Sequence, residues 1–145
     1  GPNRSRGDPI VLEEAIRKMH QAIELPAGWA WGWDGRFGAA LLVTRPPVTE
    51  QLQSCLQSHF DQVWNHQMLN MLPRDVSALV DSLDGIRTEQ SLFTKSLGQD
   101  LLLWSAWWPW SGSSHISVRI GVHSISAGPE LARARKLLQS IFTRA

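Results

Sequence analysis

The chain is short of several things, and each shortage excludes something. A single cysteine, Cys55, among 145 residues rules out an intrachain disulfide framework and suits a reducing compartment, so a cytoplasmic location is expected. An excess of charge of one sign is also missing. Fourteen Lys and Arg stand against 13 Asp and Glu, a net charge of +1, and without a basic stripe there is no electrostatic case for nucleic acid. The longest apolar run, within residues 101–110, is roughly half the ~20 residues of a membrane span and is broken by Ser105 and Pro109. No transmembrane segment is expected. Internal repeats and low-complexity tracts are absent.

Chemical motifs are just as scarce. Gly35, Gly38 and Gly112 form no phosphate-cradling pattern ahead of a helix. Ser111, Ser113, Ser114 and His115 contain hydrolase residue types, but no Gly-x-Ser-x-Gly elbow holds them. The five histidines, at 20, 59, 66, 115 and 123, have no Cys or carboxylate at ligand spacing to complete a zinc site. Cys55 falls on the apolar side of a helical pattern and reads as a small buried hydrophobe. The expectation is no catalytic residue, no metal, no cofactor and no enzyme.

What is present is tryptophan. Trp29, Trp31 and Trp33 form one cluster, and Trp104, Trp107, Trp108 and Trp110 form another, seven of the eight in the chain. Each ring carries a large apolar area with one polar handle, which suits a core or a binding hot spot. With 43% apolar and 19% charged residues, the chain has the composition of a globular domain. The expected division is a tail over residues 1–7, whose Gly1-Pro2 start reads as the scar of a tag-cleaving protease, and one domain over 8–145.

In order along the chain, Asp8 and Pro9 start a helix as N-cap and first helical residue. Leu12, Ala15, Ile16, Met19 and Ile23 follow on one face, and Glu13–Arg17 and Glu14–Lys18 form i,i+4 pairs on the other. Asp34-Gly35 between two alternating runs predicts a two-residue hairpin turn, which would set Trp33 opposite Arg36, Trp31 opposite Gly38 and Trp29 opposite Ala40. Thr49 caps a helix predicted to reach Met71 through Leu52, Cys55, Leu56, Phe60, Val63 and Trp64. His59 and His66 would then be solvated residues of that helix. A short helix follows Pro73 and ends at Gly85. Strands are expected at 91–97 and 101–108, joined through Gly98-Gln99-Asp100, with Pro109 stopping the second. The last strand, 115–125, points Ile116, Val118, Ile120 and Val122 one way and Ser117, Arg119, Gly121 and His123 the other. Gly128-Pro129 opens a terminal helix with Leu131, Ala134, Leu137, Leu138, Ile141 and Phe142 inward and Arg133, Lys136 and Arg144 outward.

These elements predict an α+β domain. Its core is a five-stranded antiparallel sheet, most simply in the order 2-1-5-4-3, with an N-terminal helix, a long middle helix with a short one, and a C-terminal helix. That layout resembles the roadblock/longin, profilin and PAS group of folds. The type III secretion chaperone layout is a second resemblance, although those chaperones are typically acidic and this chain is not.

Alternation puts Trp104 and Trp108 on one sheet face and Trp107 on the other. Trp29, Trp31, Trp33 and Trp104 read as core. Trp110 and one of Trp107 or Trp108 are candidates for an exposed patch, and His115, Arg119 and His123 with Ser117 for a polar row beside it. Stacked sugar would need more amides and carboxylates nearby, and stacked bases would need interleaved Lys and Arg. The predicted function is therefore a non-catalytic protein-interaction domain: an adaptor, chaperone or assembly factor that binds another protein or a second copy of itself. The alternative is a PAS-like sensor holding a small apolar ligand between sheet and middle helix.

Overall fold

The computed structural model describes residues 9–98 and 100–143. The expected tail at 1–7, the Asp8 cap, Gln99 of the predicted turn and the outward Arg144 lie outside the described residues. The elements are α1 (Pro9–Ala22), β1 (Gly32–Asp34), β2 (Ala39–Thr44), α2 (Val48–His59), β3 (Gln62–Asn65), a 3₁₀ helix (His66–Met71), α3 (Arg74–Ser82), β4 (Ser91–Ser96), β5 (Leu101–Pro109), β6 (Ile116–Ser124) and α4 (Pro129–Phe142). The architecture is α+β with an antiparallel sheet, as the patterning predicts. None of the described helices is long and apolar enough to cross a membrane.

The sheet has six strands in the order β1-β2-β6-β5-β4-β3, which corrects the five-strand order and departs from the layout on which the fold resemblance rested. Two causes account for the difference. The inner place beside β6 goes to β2, not β1, because Ala39–Thr44 is apolar on both faces and pairs with β6 from Ala40 to Thr44. The three-residue β1, with Gly32 at its start, is left as a short edge. The sixth strand comes out of the predicted middle helix. That helix ends at His59, where the Phe60 amide donates to the Leu56 carbonyl, and Val63 and Trp64 pair with Phe93 and Leu92 on β4. Both residues fit a helical period, but β-branched and aromatic side chains suit a strand better. The Trp64 indole donating to Thr94 Oγ1 at 2.8 Å holds that register.

The first hairpin also differs from expectation. Trp33 lies opposite Ala40 and Asp34 opposite Ala39, so the turn is the four residues Gly35–Gly38. Asp34 is the reason. Its Oδ1 accepts from the Arg36 amide at 2.9 Å, a local turn within the loop, and Gly38 takes the left-handed position at φ 61°. The slip is an even number of residues, so Trp33 keeps its predicted face. Thr49 is not a cap. Pro47 stands at that position, and the buried Thr49 hydroxyl meets Thr44 Oγ1 at 3.0 Å instead.

Helices α1, α2 and α4 cover one face of the sheet. Ile16, Leu56 and Leu138 reach full burial there among Val118, Ile120 and Val122, the alternating set of β6. Trp31 closes this core edge-on to Phe142, with centroids 5.0 Å apart. Of the described α-helices, α3 alone lies on the opposite face, packing Val76, Leu79 and Val80 on Leu102, Trp104 and Ala106 of β5. The chain leaves α3 through Gly85, at φ 97°, whose amide bonds the Val80 carbonyl.

Candidate functional site

One nine-residue helix is too short to cover a six-stranded sheet. The face beneath α3 therefore divides into a covered half and an uncovered end, and cross-strand register shows what each holds. Trp108 pairs with Ser117, and Ser117 with Val43. These three side chains share the α3 face at the end of the sheet that α3 leaves open, next to the loop joining β5 and β6.

Trp110 stands on that loop with 47% of its surface exposed. It is nonetheless held in place. Its amide donates to the His115 carbonyl at 2.9 Å and its indole to Ser117 Oγ at 2.8 Å. Its ring stacks on His115 with centroids 5.1 Å apart, while Ser113 Oγ meets the same imidazole at Nδ1. Val43, 38% exposed, lies opposite Ser117, which accepts the Trp110 indole.

Of the six predicted contact residues, the structure brings Trp108, Trp110 and His115 to this open end. Trp107 is a correction: it points into the α1/α2/α4 core and is 6% exposed, because odd positions of β5 face that side. Arg119 and His123 lie on the α3 face but farther along β6, where α3 and the β1–β2 turn partly cover them. The polar stripe is thus not an open strand face. Gly121, between them, lies under the Trp104 ring.

What surrounds Arg119 and His123 is a cleft that sequence patterning does not suggest. Its outer part, ≈310 Å³, is lined by Arg36, Phe37, Asp84, Arg87, Trp108 and Arg119 among others. Its inner recess, ≈80 Å³, includes Arg36, Ser82, Trp104, His123 and Arg135. Arg119 is the most constrained group. Its Nε donates to Asp34 Oδ2 at 2.7 Å, and its guanidinium carbon lies 4.5 Å from the Trp108 ring centre and 5.5 Å from that of Phe37. Arg36 forms an exposed pair with Asp84 at 2.7 Å across the mouth. Arg36 comes from a turn, Arg87 from the segment after α3 and Arg135 from α4, so no local spacing could have joined them.

Burial and neighbours set the charges here. Burial by itself raises the Asp34 carboxyl, but hydrogen bonds from Arg119 and from the Arg36 amide, with the Arg119 charge, outweigh it and hold the pKa below the usual carboxylate value. His123 is lowered, first by burial and then by the Arg135 charge, with Asp75 opposing. Below about pH 6.5 the unfolded chain therefore takes up a proton that folded His123 resists, so folding stability should fall as pH drops through that range. Urea midpoints measured from about pH 7.5 to 5 should show a smaller decline for His123→Gln than for the wild type. The decline that remains is expected in part from His20, lowered by burial and by Arg17.

His59 and His66 do not share a helix; their Nδ1 atoms meet the Cys55 and Ile86 carbonyls respectively. Cys55 is partly buried against the core, which raises its thiol pKa. Among the described residues, no three His, Cys, Asp or Glu side chains come together in a metal-binding group. No family model, curated protein or solved structure matches this chain.

Proposed function

We propose that the chain is a protein-interaction domain that engages another protein through the open end of the α3 face, with Trp110 as the anchor and Trp108 and Val43 beside it. The observation that carries this reading is the fixed exposure of Trp110. A large ring already held by its indole hydrogen bond and a stacked imidazole, on a backbone anchored through its amide, has little rotamer freedom left to lose on binding. Central, pre-ordered tryptophans are the residues on which interface energy concentrates. His115, Ser117 and the loop serines supply a polar rim around the apolar rings.

The test compares wild type with Trp110→Ala as paired baits in a lysate of the source cells, alongside light scattering over about two decades of concentration. The substitution should move the urea midpoint little, since an exposed loop side chain is expected to contribute within about 0.5 kcal/mol. It should weaken the relevant partner by about 30-fold or more, the size of a hot-spot truncation. If the contact is a second copy of the chain, the same loss appears as dissociation of a dimer. Every partner and every oligomer surviving the substitution at full strength would remove this assignment.

A further inference from the structure

We infer that the cleft between α3, the β1–β2 turn and β6 is a binding site for a small phosphate monoester, with its phosphoryl group in the recess and its organic body against Phe37 and Trp108. The cleft shares Trp108 with the open sheet end, but the phosphoryl site rests on Arg36, Arg135 and His123, which are not part of the interaction proposed for Trp110, so variants of those residues test it separately.

Four arginines reach the cleft, and the structure partners them unequally. Arg119 is paired with Asp34 and Arg36 with Asp84. Arg87 and Arg135 have no carboxylate within ion-pair distance among the described residues. Three buried side-chain nitrogens in this one region also lack a hydrogen-bond partner there: Arg119 Nη1, Arg135 Nε and His123 Nε2. A buried polar nitrogen left unmatched costs free energy, and the fixed donors Arg119 Nη1 and Arg135 Nε, with His123 Nε2 in the tautomer that carries its proton there, belong to residues lining adjoining cavities and point to an acceptor that completes them.

The donor set also indicates which anion. The recess presents Arg36, Arg135 and His123, more donors than the two oxygens and single charge of a carboxylate can satisfy. A phosphate monoester offers three terminal oxygens and nearly two charges, and arginine meets it in bidentate fashion. The recess is small, at ≈80 Å³, and adjoins the larger outer cleft, with which it shares Arg36, Phe37 and Leu83. There the edge-to-face pair Phe37–Trp108, with centroids 5.7 Å apart, makes an aromatic wall. The outer volume, ≈310 Å³, is at the small end of ordinary ligand sites, which favours a small molecule over a chain segment. Arg36 and Asp84, both largely exposed, form a bridge over the entrance that a competing anion can open.

Titration calorimetry at constant ionic strength tests this, using phenyl phosphate, inorganic phosphate and benzoate as probes on wild type, Arg135→Gln and Arg36→Gln. Phenyl phosphate should saturate one site per chain. Each substitution should weaken it by about tenfold or more, as loss of a charge-assisted hydrogen bond implies. Inorganic phosphate should bind more weakly for want of the ring, and benzoate more weakly still. Arg36 is so exposed that Arg36→Gln keeps the test valid even if Arg135→Gln disturbs the packing of α4 against Gly38. Absence of saturable binding, wild-type affinity for phenyl phosphate in both variants, or benzoate binding as tightly as phenyl phosphate would each overturn the inference. A phosphotyrosine peptide binding more tightly than phenyl phosphate would overturn the small-molecule assignment.

Discussion

Gly121→Ala should destabilise the fold by about 3 kcal/mol, at the upper end of what overpacking costs in a core. Gly121 sits mid-strand on β6, directly opposite Trp104 of β5. A Cβ there would lie 2.5 Å from Trp104 Cε2 and 2.9 Å from Nε1, and closer still to Cζ2. Real Cβ contacts do not come that near. Relief would require the indole to move, and Trp104 is 2% exposed, hemmed in by Leu79, Val80 and Leu102 in the α3 core. The glycine is therefore a docking groove for a ring and not a point of backbone freedom. Gly35→Ala, which meets nothing within 4 Å, serves as the control and should change stability by no more than about 0.5 kcal/mol.

A double-mutant cycle separates this clash from any loss of strand propensity. Trp104→Leu alone should cost about 2–4 kcal/mol by leaving a cavity under α3. With that ring gone, Gly121→Ala has room, so the pair should be less destabilised than the sum of the single changes by about 2 kcal/mol. Urea unfolding of the four proteins measures it. Additivity within error would mean that the glycine is required for some reason other than the indole.

The same pair shows which parts of the fold a sequence exposes. Even positions of β5 and odd positions of β6 could be assigned to one face from alternation alone, because a strand has a period of two and apolar residues mark one side. For the same reason α1, α3, α4 and the last three strands stand close to where periodicity puts them. Alternation cannot say what covers a face. Trp107 and Trp108 are adjacent and equally apolar. One is buried because three helices pack on its side, and the other is only partly buried because a single short helix packs on its own.

The misread regions share a cause, since in each a distant partner decides between local choices of similar merit. Val63-Trp64 satisfies a helical period and a strand equally well until Thr94, thirty residues on, receives the Trp64 indole. Asp34-Gly35 is a strong two-residue turn signal, but Asp34 is also the partner of Arg119, eighty-five residues on, and the turn widens to four residues around it. The cleft was the least legible feature. Its arginines lie on a turn, a loop, a strand and a helix, and nothing in their spacing distinguishes them from solvated charges. Trp108 and Arg119 were legible as candidates because both lie in alternating strands, although not as neighbours of one another.

Asp34→Asn should cost about 2–4 kcal/mol, because it leaves the Arg119 charge without its partner in a setting where both side chains are only 15% exposed. Asparagine keeps the size of the side chain and an oxygen that can still accept from the Arg36 amide, so the turn survives and the lost charge is isolated. The indole of Trp108 and the ring of Phe37 cannot replace a carboxylate, and Arg119 Nη1 already lacks a partner among the described residues. Removing the cation as well should restore most of the loss. Arg119→Met in the Asp34→Asn background leaves neither charge and fills the place of the guanidinium with apolar bulk, and replacing a buried ion pair by uncharged side chains is often close to neutral. The acid limb of the stability curve offers an independent check. The folded Asp34 pKa is depressed, so its contribution is fully present above the unfolded value near pH 4 and is lost as pH falls from there through the lower folded value. Wild type should therefore lose stability below about pH 4 more steeply than Asp34→Asn, and the two unfolding midpoints should converge on acidification. Parallel curves over that range would mean that the Asp34–Arg119 contact carries no net stability, and that Arg119 is held by Trp108 and Phe37 alone.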